Sequence, residues 1–348
     1  MIRPIDVLRP LLALLFVAAP FHAAAQSCGD FLGGTVALSG DLHCTSGYTA
    51  LGVGASGTTI NLNGHTLSGS RALIGIDAVG YDNVTIRGPG RITGFWIGVR
   101  GGNTRALRVR NVRFENLASG ISNNHGNDVV IADNEFINID GVGVSLRTTP
   151  FNSRHGTNGV IVDNWFDGGM TAIQLCGMNT YGHTVRYNRI TNQSWVAIEL
   201  SDETSRNTLF GNDVDNSYAG LALFNARENT IRSERYTHST LGIWMVSQPP
   251  GACVNSGSMD VVNNRMEGMS LFNLDVAAML GGAGAGGLVL KNRLNRSKIY
   301  DNDYGLVLES DSYGNVAVQN AMFGTTTPIQ DTGTANTTTP NWCDPPGC

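Results

Sequence analysis

The sequence predicts an all-β parallel β-helix, a single chain wound into a rod of roughly ten short coils. Three observations carry that expectation. A cycle of apolar triplet, Asn-centred turn, second short strand and glycine-led third strand recurs along the chain, as in Val185-Arg186-Tyr187-Asn188-Arg189-Ile190 running on to Ile198-Glu199-Leu200. Four such cycles align without gaps, the others ending at Ala172-Ile173-Gln174-Leu175, Gly220-Leu221-Ala222-Leu223 and Gly242-Ile243-Trp244-Met245. Their turn residues Asn164, Asn188, Asn212 and Glu234 lie 24, 24 and 22 residues apart, room for three short strands but not for a strand, a helix and a return. Such repeats cannot bury an apolar face alone, so stacked neighbours share one core and function sits on the outside of the rod.

Taken in order, residues 1–25 read as an export signal: Arg3 and Arg9, an apolar run from Leu11 to Phe21, then Ala23-Ala24-Ala25 before a cut at Gln26. The run is short for a span of ~20 residues, so the chain is expected to be secreted or periplasmic, without a membrane span. Removing Arg3, Arg9 and Asp6 from 23 basic and 28 acidic residues leaves 21 and 27, which argues against a nucleic-acid partner. The only lysines are Lys291 and Lys298, so the positive charge is almost all guanidinium, suited to carboxylate or sulfate. Genomic base composition produces the same bias.

Residues 26–323 are expected to form one β-helix domain. Thr35-Val36-Ala37-Leu38 and Thr59 to Leu67 give the first strands and cap one end, since an open solenoid end exposes unpaired edges. Coils follow at Val84-Thr85-Ile86, Leu107-Arg108-Val109 and Val129-Val130-Ile131. Asn134, Asn164, Asn188, Asn212, Asn264 and Asn320 are expected to stack as one structural ladder, because Asn bonds neighbouring backbone at tight bends. Arg147 to Thr157 and Ser247 to Ser258 are insertions at one point of the cycle, hence on one side of the rod. From Gly281 to Lys298 the register is lost, because Asn292 and Asn302 both fit the turn position. Residues 324–348 read as a Thr/Pro-rich tail, extended or loosely packed.

An even count of six cysteines in an exported chain reads as disulfides. Cys28 and Cys44 flank the first coil and Cys343 and Cys348 close the tail, leaving Cys176 with Cys253.

Alternate strand residues point outward, which places Ser145, Gln174, Glu199, Ala222 and Trp244 in one row. Arg147, Cys176, Ser201 with Asp202, Phe224 and Val246 lie just beyond. An acid near the middle and an exposed Trp near one end suit a sugar groove, with Trp244, Gln174, Arg147 and Phe224 as substrate contacts and the two insertions as walls. Arg154, His155, Tyr181, His183, Glu199, Asp202, Glu203, Arg227 and Glu228 come within reach. Two chemistries fit. A polysaccharide lyase needs a base, here His155, His183 or Tyr181, and a neutraliser of the uronate carboxylate, here Arg154 or Arg227. A glycoside hydrolase needs two carboxylates, for which Glu199 and Asp202 are the best pair. Charged loop residues are more often merely solvated. Cys176, Met178 and His183 contain soft ligands suited to copper, but their spacing matches no compact site. Loop carboxylates offer oxygen ligands of the kind Ca²⁺ takes, although no Ca²⁺-loop consensus is present. The run Gly281 to Gly287 lacks the Lys-Ser/Thr of a phosphate loop and reads as a flexible loop.

The segment Ile60-Asn61-Leu62-Asn63-Gly64-His65-Thr66-Leu67-Ser68-Gly69, with Asn83-Val84-Thr85-Ile86-Arg87 and Gly94-Phe95-Trp96-Ile97-Gly98-Val99, resembles the opening coils of NosD-like bacterial proteins of the pectin-lyase-like superfamily. The resemblance covers essentially the whole mature chain and implies a right-handed rod with three sheets. That superfamily spans lyases, polygalacturonases, epimerases, phage depolymerases and copper-insertion proteins, so fold alone does not assign activity. The paired Asp and Gly-His-Gly of polygalacturonases and the Asp-Pro-His of mannuronan epimerases are missing. The reading drawn is a secreted carbohydrate-active β-helix, a polysaccharide lyase on an acidic polysaccharide ahead of a glycoside hydrolase. A non-enzymatic adhesion or glycan-binding rod and a periplasmic copper-delivery protein are the alternatives.

Overall fold

The computed structural model describes residues 25–149, 154–248, 253, 259–281 and 286–344. The expected export signal up to residue 24 and Cys348 lie outside the described residues, as do parts of both insertions and of the glycine run. All regular structure described is strand, wound as a right-handed parallel β-helix. Among the described residues no helix is long and apolar enough to cross a membrane.

One rung shows the construction. Thr184–Arg186 lies on a face here termed face 2, Arg189–Gln193 on face 3 and Val196–Ser201 on face 1. Each strand pairs in parallel with its equivalents one rung away, so face 2 is a 12-stranded sheet running from Thr35–Ala37 to Val316–Val318. Faces 3 and 1 merge into a 23-stranded sheet because Arg113–Asn124, Glu135–Arg147 and Trp165–Cys176 run round the corner between them without interruption.

Inward residues fill the rod, with Val185, Ile190, Ile198 and Leu200 of this rung fully buried. Phe114, Phe136 and Phe166 stack at 4.9 and 4.6 Å between centroids, one ring per rung. That stack explains the glycine that leads face 1. A Cβ on Gly120 would lie 2.4 Å from the Gly143 carbonyl oxygen and 2.8 Å from the Phe136 ring, and Gly143 is crowded in the same way by Ala172 and Phe166. Any side chain there would push the rungs apart.

The amides form two ladders rather than the single one expected. Between faces 2 and 3, Asn134, Asn164, Asn188 and Asn212 each donate through Nδ2 to the next side chain, the series ending on Glu234 Oε1 at 3.0 Å. Between faces 1 and 2 a second ladder runs through Asn207, Asn229, Asn264, Asn292, Asn315 and Asn336. Asn264 therefore belongs to the second ladder, whereas Asn320 continues the first at its far end, bonding Asn341. The misplacement has a physical cause. The corner between faces 1 and 2 is wide enough to hold short strands of its own, Gly156–Thr157 and Thr180–Tyr181 in two earlier rungs and Val261–Val262, Val289–Leu290 and Ser312–Tyr313 in three later ones, which, unlike the earlier two, lead straight into a ladder asparagine. Val261-Val262-Asn263-Asn264 thus repeats the apolar-to-Asn pattern at a different corner. The lost register resolves in the same way: Asn292 is a rung of the second ladder, while Asn302 accepts the Leu274 N–H at 2.8 Å elsewhere.

The residues after 323 do not form a loose tail throughout. Thr327–Asp331 pairs with Tyr304–Leu308, and Trp342–Asp344 pairs with Ala321–Phe323, adding strands to the rod. Cys28 bonds Cys44, Cys176 bonds Cys253, and Cys343 is also disulfide-bonded.

Candidate functional site

Face 1 brings the expected row together. Pairing sets Ser145 beside Gln174, Gln174 beside Glu199, Glu199 beside Ala222 and Ala222 beside Trp244. The second row is in register too, from Arg147 through Cys176, Ser201 and Phe224 to Val246. At its centre is a cavity of about 200 Å³ lined by Arg147, Gln174, Glu199, Asp202, Phe224 and the Cys176–Cys253 disulfide. The disulfide ties the second insertion back to the groove, the pairing left once the other four cysteines were assigned.

Glu199 is the chemically distinctive group. Ser145 Oγ donates to Gln174 Oε1 at 3.2 Å, and Gln174 Nε2 donates to Glu199 Oε1 at 3.0 Å, which also accepts from Ser201 Oγ at 2.7 Å. The chain stops there because the next position is Ala222. Glu199 Oε2 has no hydrogen-bond partner among the described residues. Burial holds the carboxyl above the usual carboxylate range; the hydrogen bonds from Ser201 and Gln174 oppose that shift, and the Asp202 charge adds to it.

Asp202 follows the face 1 strand at φ 54°, in a left-handed turn shared with Asn225 at 55° one rung on. Its Oδ2 accepts the Cys253 N–H at 3.0 Å and lies 3.4 Å from Cys176 Sγ. Arg147 donates through Nε to Asn124 Oδ1 at 2.8 Å, and no carboxylate pairs with it among the described residues. Asn225 and Gln248 complete the wall, bonded to one another through Asn225 Oδ1 and the Gln248 N–H at 2.9 Å. The sequence reading missed both, although Asn225 stands in the same strand-end position as Asp202.

Other candidates are placed differently. His183 is 1% exposed and is a rung of the second amide ladder. Its Nδ1 accepts the Gly159 N–H at 2.9 Å, its Nε2 bonds the Gly156 carbonyl at 2.9 Å, and burial depresses its pKa to about 4. Neither nitrogen is left for a proton on a substrate, which corrects its assignment as a base. Arg227 is paired through Nη2 with Glu203 Oε2 at 2.7 Å, so its charge is spent on that buried carboxylate. Tyr181 and His155 bond each other at 2.9 Å outside the residues that line the cavity, and the Arg154 carbonyl bonds His125 Nδ1 at 3.1 Å. Trp244 is half-buried rather than exposed, packed edge-on against Phe224, Trp195 and Tyr218 at 5.2 to 6.1 Å. Phe224 is buried beneath it, the two belonging to a second apolar cluster outside the rod.

Cys176 and His183, which the copper-delivery alternative would use as ligands, do not fit that role as they stand. Ligand atoms of Cys176, Asp202 and Cys253 lie within 4.8 Å of one another, but the two sulfurs are bonded together and are not thiolates, and both His183 nitrogens are engaged by backbone.

Solved structures with the same fold include the A-module of the Azotobacter vinelandii mannuronan C-5 epimerase AlgE6, with a TM-score of 0.58 at 13% identity over 88% of this chain and 91% of that one. The tailspike protein of Escherichia coli bacteriophage HK620, solved with a pentasaccharide, matches with a TM-score of 0.64 at 11% identity, over 85% of this chain and 61% of that one. A family 28 exopolygalacturonase from Yersinia enterocolitica matches with a TM-score of 0.60 at 13% identity, over 90% and 73%. Among curated proteins no sequence matches. The family model described as periplasmic copper-binding protein (NosD) matches residues 78–273, more than half of the sequence and every strand that builds the groove, and the chain belongs to that NosD family.

Proposed function

We propose that this exported β-helix cleaves an acidic polysaccharide in the face 1 groove, with Glu199 as the residue that carries the proton. The observation that carries the reading is the buried Glu199 carboxyl, raised above its ordinary value and sharing one cavity with Asp202 and with Arg147, which no carboxylate pairs with among the described residues. Two disulfides within the described residues suit an oxidising compartment, as the export signal does. Structures that share the fold carry carbohydrate-acting names, which supports a glycan as the substrate class.

Glycoside hydrolysis is the chemistry the pocket supports best. A carboxyl whose pKa burial raises can deliver its proton to the leaving oxygen, and a neighbouring carboxylate activates water or attacks the sugar. Glu199 takes the first role and Asp202 the second. β-Elimination, the chemistry favoured by the sequence, keeps a specific support in Arg147, which is placed to neutralise a uronate, but has lost His183 as its base.

Incubating the protein with pectate, alginate, ulvan and glycosaminoglycans separates these readings. New reducing ends without ultraviolet absorbance mean hydrolysis; absorbance from an unsaturated product means elimination. Glu199→Gln is expected to cut either activity by roughly 10²–10⁴-fold while leaving the fold intact. Because the acid form is the working one, activity should fall as pH rises through a Glu199 pKa above the ordinary carboxylate range. Silence across the panel, or full activity in Glu199→Gln, removes the reading.

A further inference from the structure

We propose that the corner between faces 3 and 1 is a second glycan subsite, which takes an uncharged, hydroxyl-rich sugar ring. The inference rests on the reading of the groove as polysaccharide-binding and extends it by about 13 Å along the strand from Glu199.

Trp195 and Tyr218 immediately precede Val196 and Ala219, which pair in the sheet, so their rings lie one above the other. They stack at 5.1 Å with 4° between planes. In the next rung the equivalent position, before Leu241, is Thr240, which is too small to continue the stack. The result is a cavity of about 390 Å³, lined by Tyr218, Thr240, Asn192, Asn216, Ser194 and His238 among others. Tyr218 is 37% exposed. A sugar ring over Thr240 would supply the missing third member, since the CH-bearing face of a pyranose is apolar and packs on an aromatic face.

The polar rim matches hydroxyls rather than charge. Asn216 Nδ2 donates to Asn192 Oδ1 at 2.7 Å, and Asn192 Nδ2 donates to Asp167 Oδ1 at 2.6 Å, which holds both amides in one row and leaves Asn216 Oδ1 as an acceptor. His238 bonds Asp215 through Nδ1 at 2.6 Å and Asn273 through Nε2 at 3.3 Å. Among the described residues no carboxylate or guanidinium lines this cavity, in contrast to the Arg147 pocket. Trp244 touches Trp195 and Tyr218 on one side and Phe224, which lines the Glu199 cavity, on the other, so one aromatic surface joins the two.

The test is calorimetric titration of the protein with neutral gluco-, manno- and galacto-oligosaccharides and with oligogalacturonate, using Tyr218→Ala, Thr240→Tyr and Glu199→Gln. Thr240→Tyr completes the stack with a protein ring and should melt no lower than the wild type. At least one neutral oligosaccharide is expected to bind, about tenfold more weakly in both Tyr218→Ala and Thr240→Tyr. Absence of binding by every neutral oligosaccharide, or wild-type affinity in the two corner variants, overturns the subsite. Those results are separable from failure of the groove chemistry, which shows as undiminished polymer cleavage by Glu199→Gln whatever the corner binds.

Discussion

Glu234 stands where the first amide ladder would place another asparagine, and it shows how one residue makes the rod sensitive to pH. Its Oε1 accepts both the backbone N–H and the side-chain Nδ2 of Asn212, and its Oε2 accepts from Tyr236 at 3.1 Å, all fully buried. Burial pushes its pKa up to about 8 from 4.5, against the pull of those hydrogen bonds. The acid is thus protonated when folded and ionised when unfolded between those values. Its stabilisation is complete below the unfolded pKa and lost as pH rises through the folded one. Glu234→Gln keeps the acceptor without the titration, so wild-type melting temperature should fall relative to this variant between pH 5 and 8.5; parallel curves would reject the effect. His183 works in the opposite sense. With a pKa lowered to about 4, its contribution is present above the unfolded value of about 6.5 and lost as pH falls through 4. His183→Asn extends the second ladder with its ordinary residue. It is expected to remove that acid sensitivity and leave polysaccharide turnover unchanged, whereas a loss of turnover with the fold intact would return His183 to the catalytic set.

At the scale of the element, the ladders are what turn a repeating sequence into a fixed rung. Asn188 donates to the Ile161 and Arg186 carbonyls at 3.0 and 3.1 Å and to Asn212 Oδ1 at 2.9 Å, and accepts from the backbone and side chain of Asn164. Asn188→Ala strands several of these buried groups at once, at ~1–3 kcal/mol each, so a loss of roughly 3–5 kcal/mol is expected in denaturant titration. The legibility of the sequence follows the same physics. Glycine, Asn and apolar positions of residues 129–246 are forced by contacts one rung away, so rows such as Ser145, Gln174 and Glu199 could be aligned by counting. After Val261 the extra strands at one corner use the same apolar-Asn pattern, and counting put Asn264 in the wrong ladder. Burial was the other blind spot. Periodicity shows that Phe224 and Trp244 point away from the core but says nothing of the Trp195 and Tyr218 rings that pack around them. It likewise could not show that His183 and Arg227 were already committed to Gly159 and Glu203.

In the molecule as a whole, each rung touches little beyond the rungs above and below it, so stability is close to a sum of local terms plus nearest-neighbour interfaces. Damage at one end should then stay there. The first described strand, Asp30–Leu32, has one strand partner, Thr49–Val53, and the Cys28–Cys44 bond fastens the chain just before it to Leu42–Cys44 on the adjoining face. Cys44 is itself part of the core. Replacing both cysteines with alanine removes the tie and leaves a small apolar side chain inside. Hydrogen exchange is expected to quicken in the strands from Asp30 to Gly69, which lie within about two rungs of the lost bond, while amides of Val196–Ser201 and Ala219–Phe224 keep wild-type protection. Binding and turnover at Glu199 should be unchanged for the same reason. Faster exchange spread evenly to Val196–Ser201 would mean that the rod opens as one cooperative unit, and the groove would then depend on its distant end.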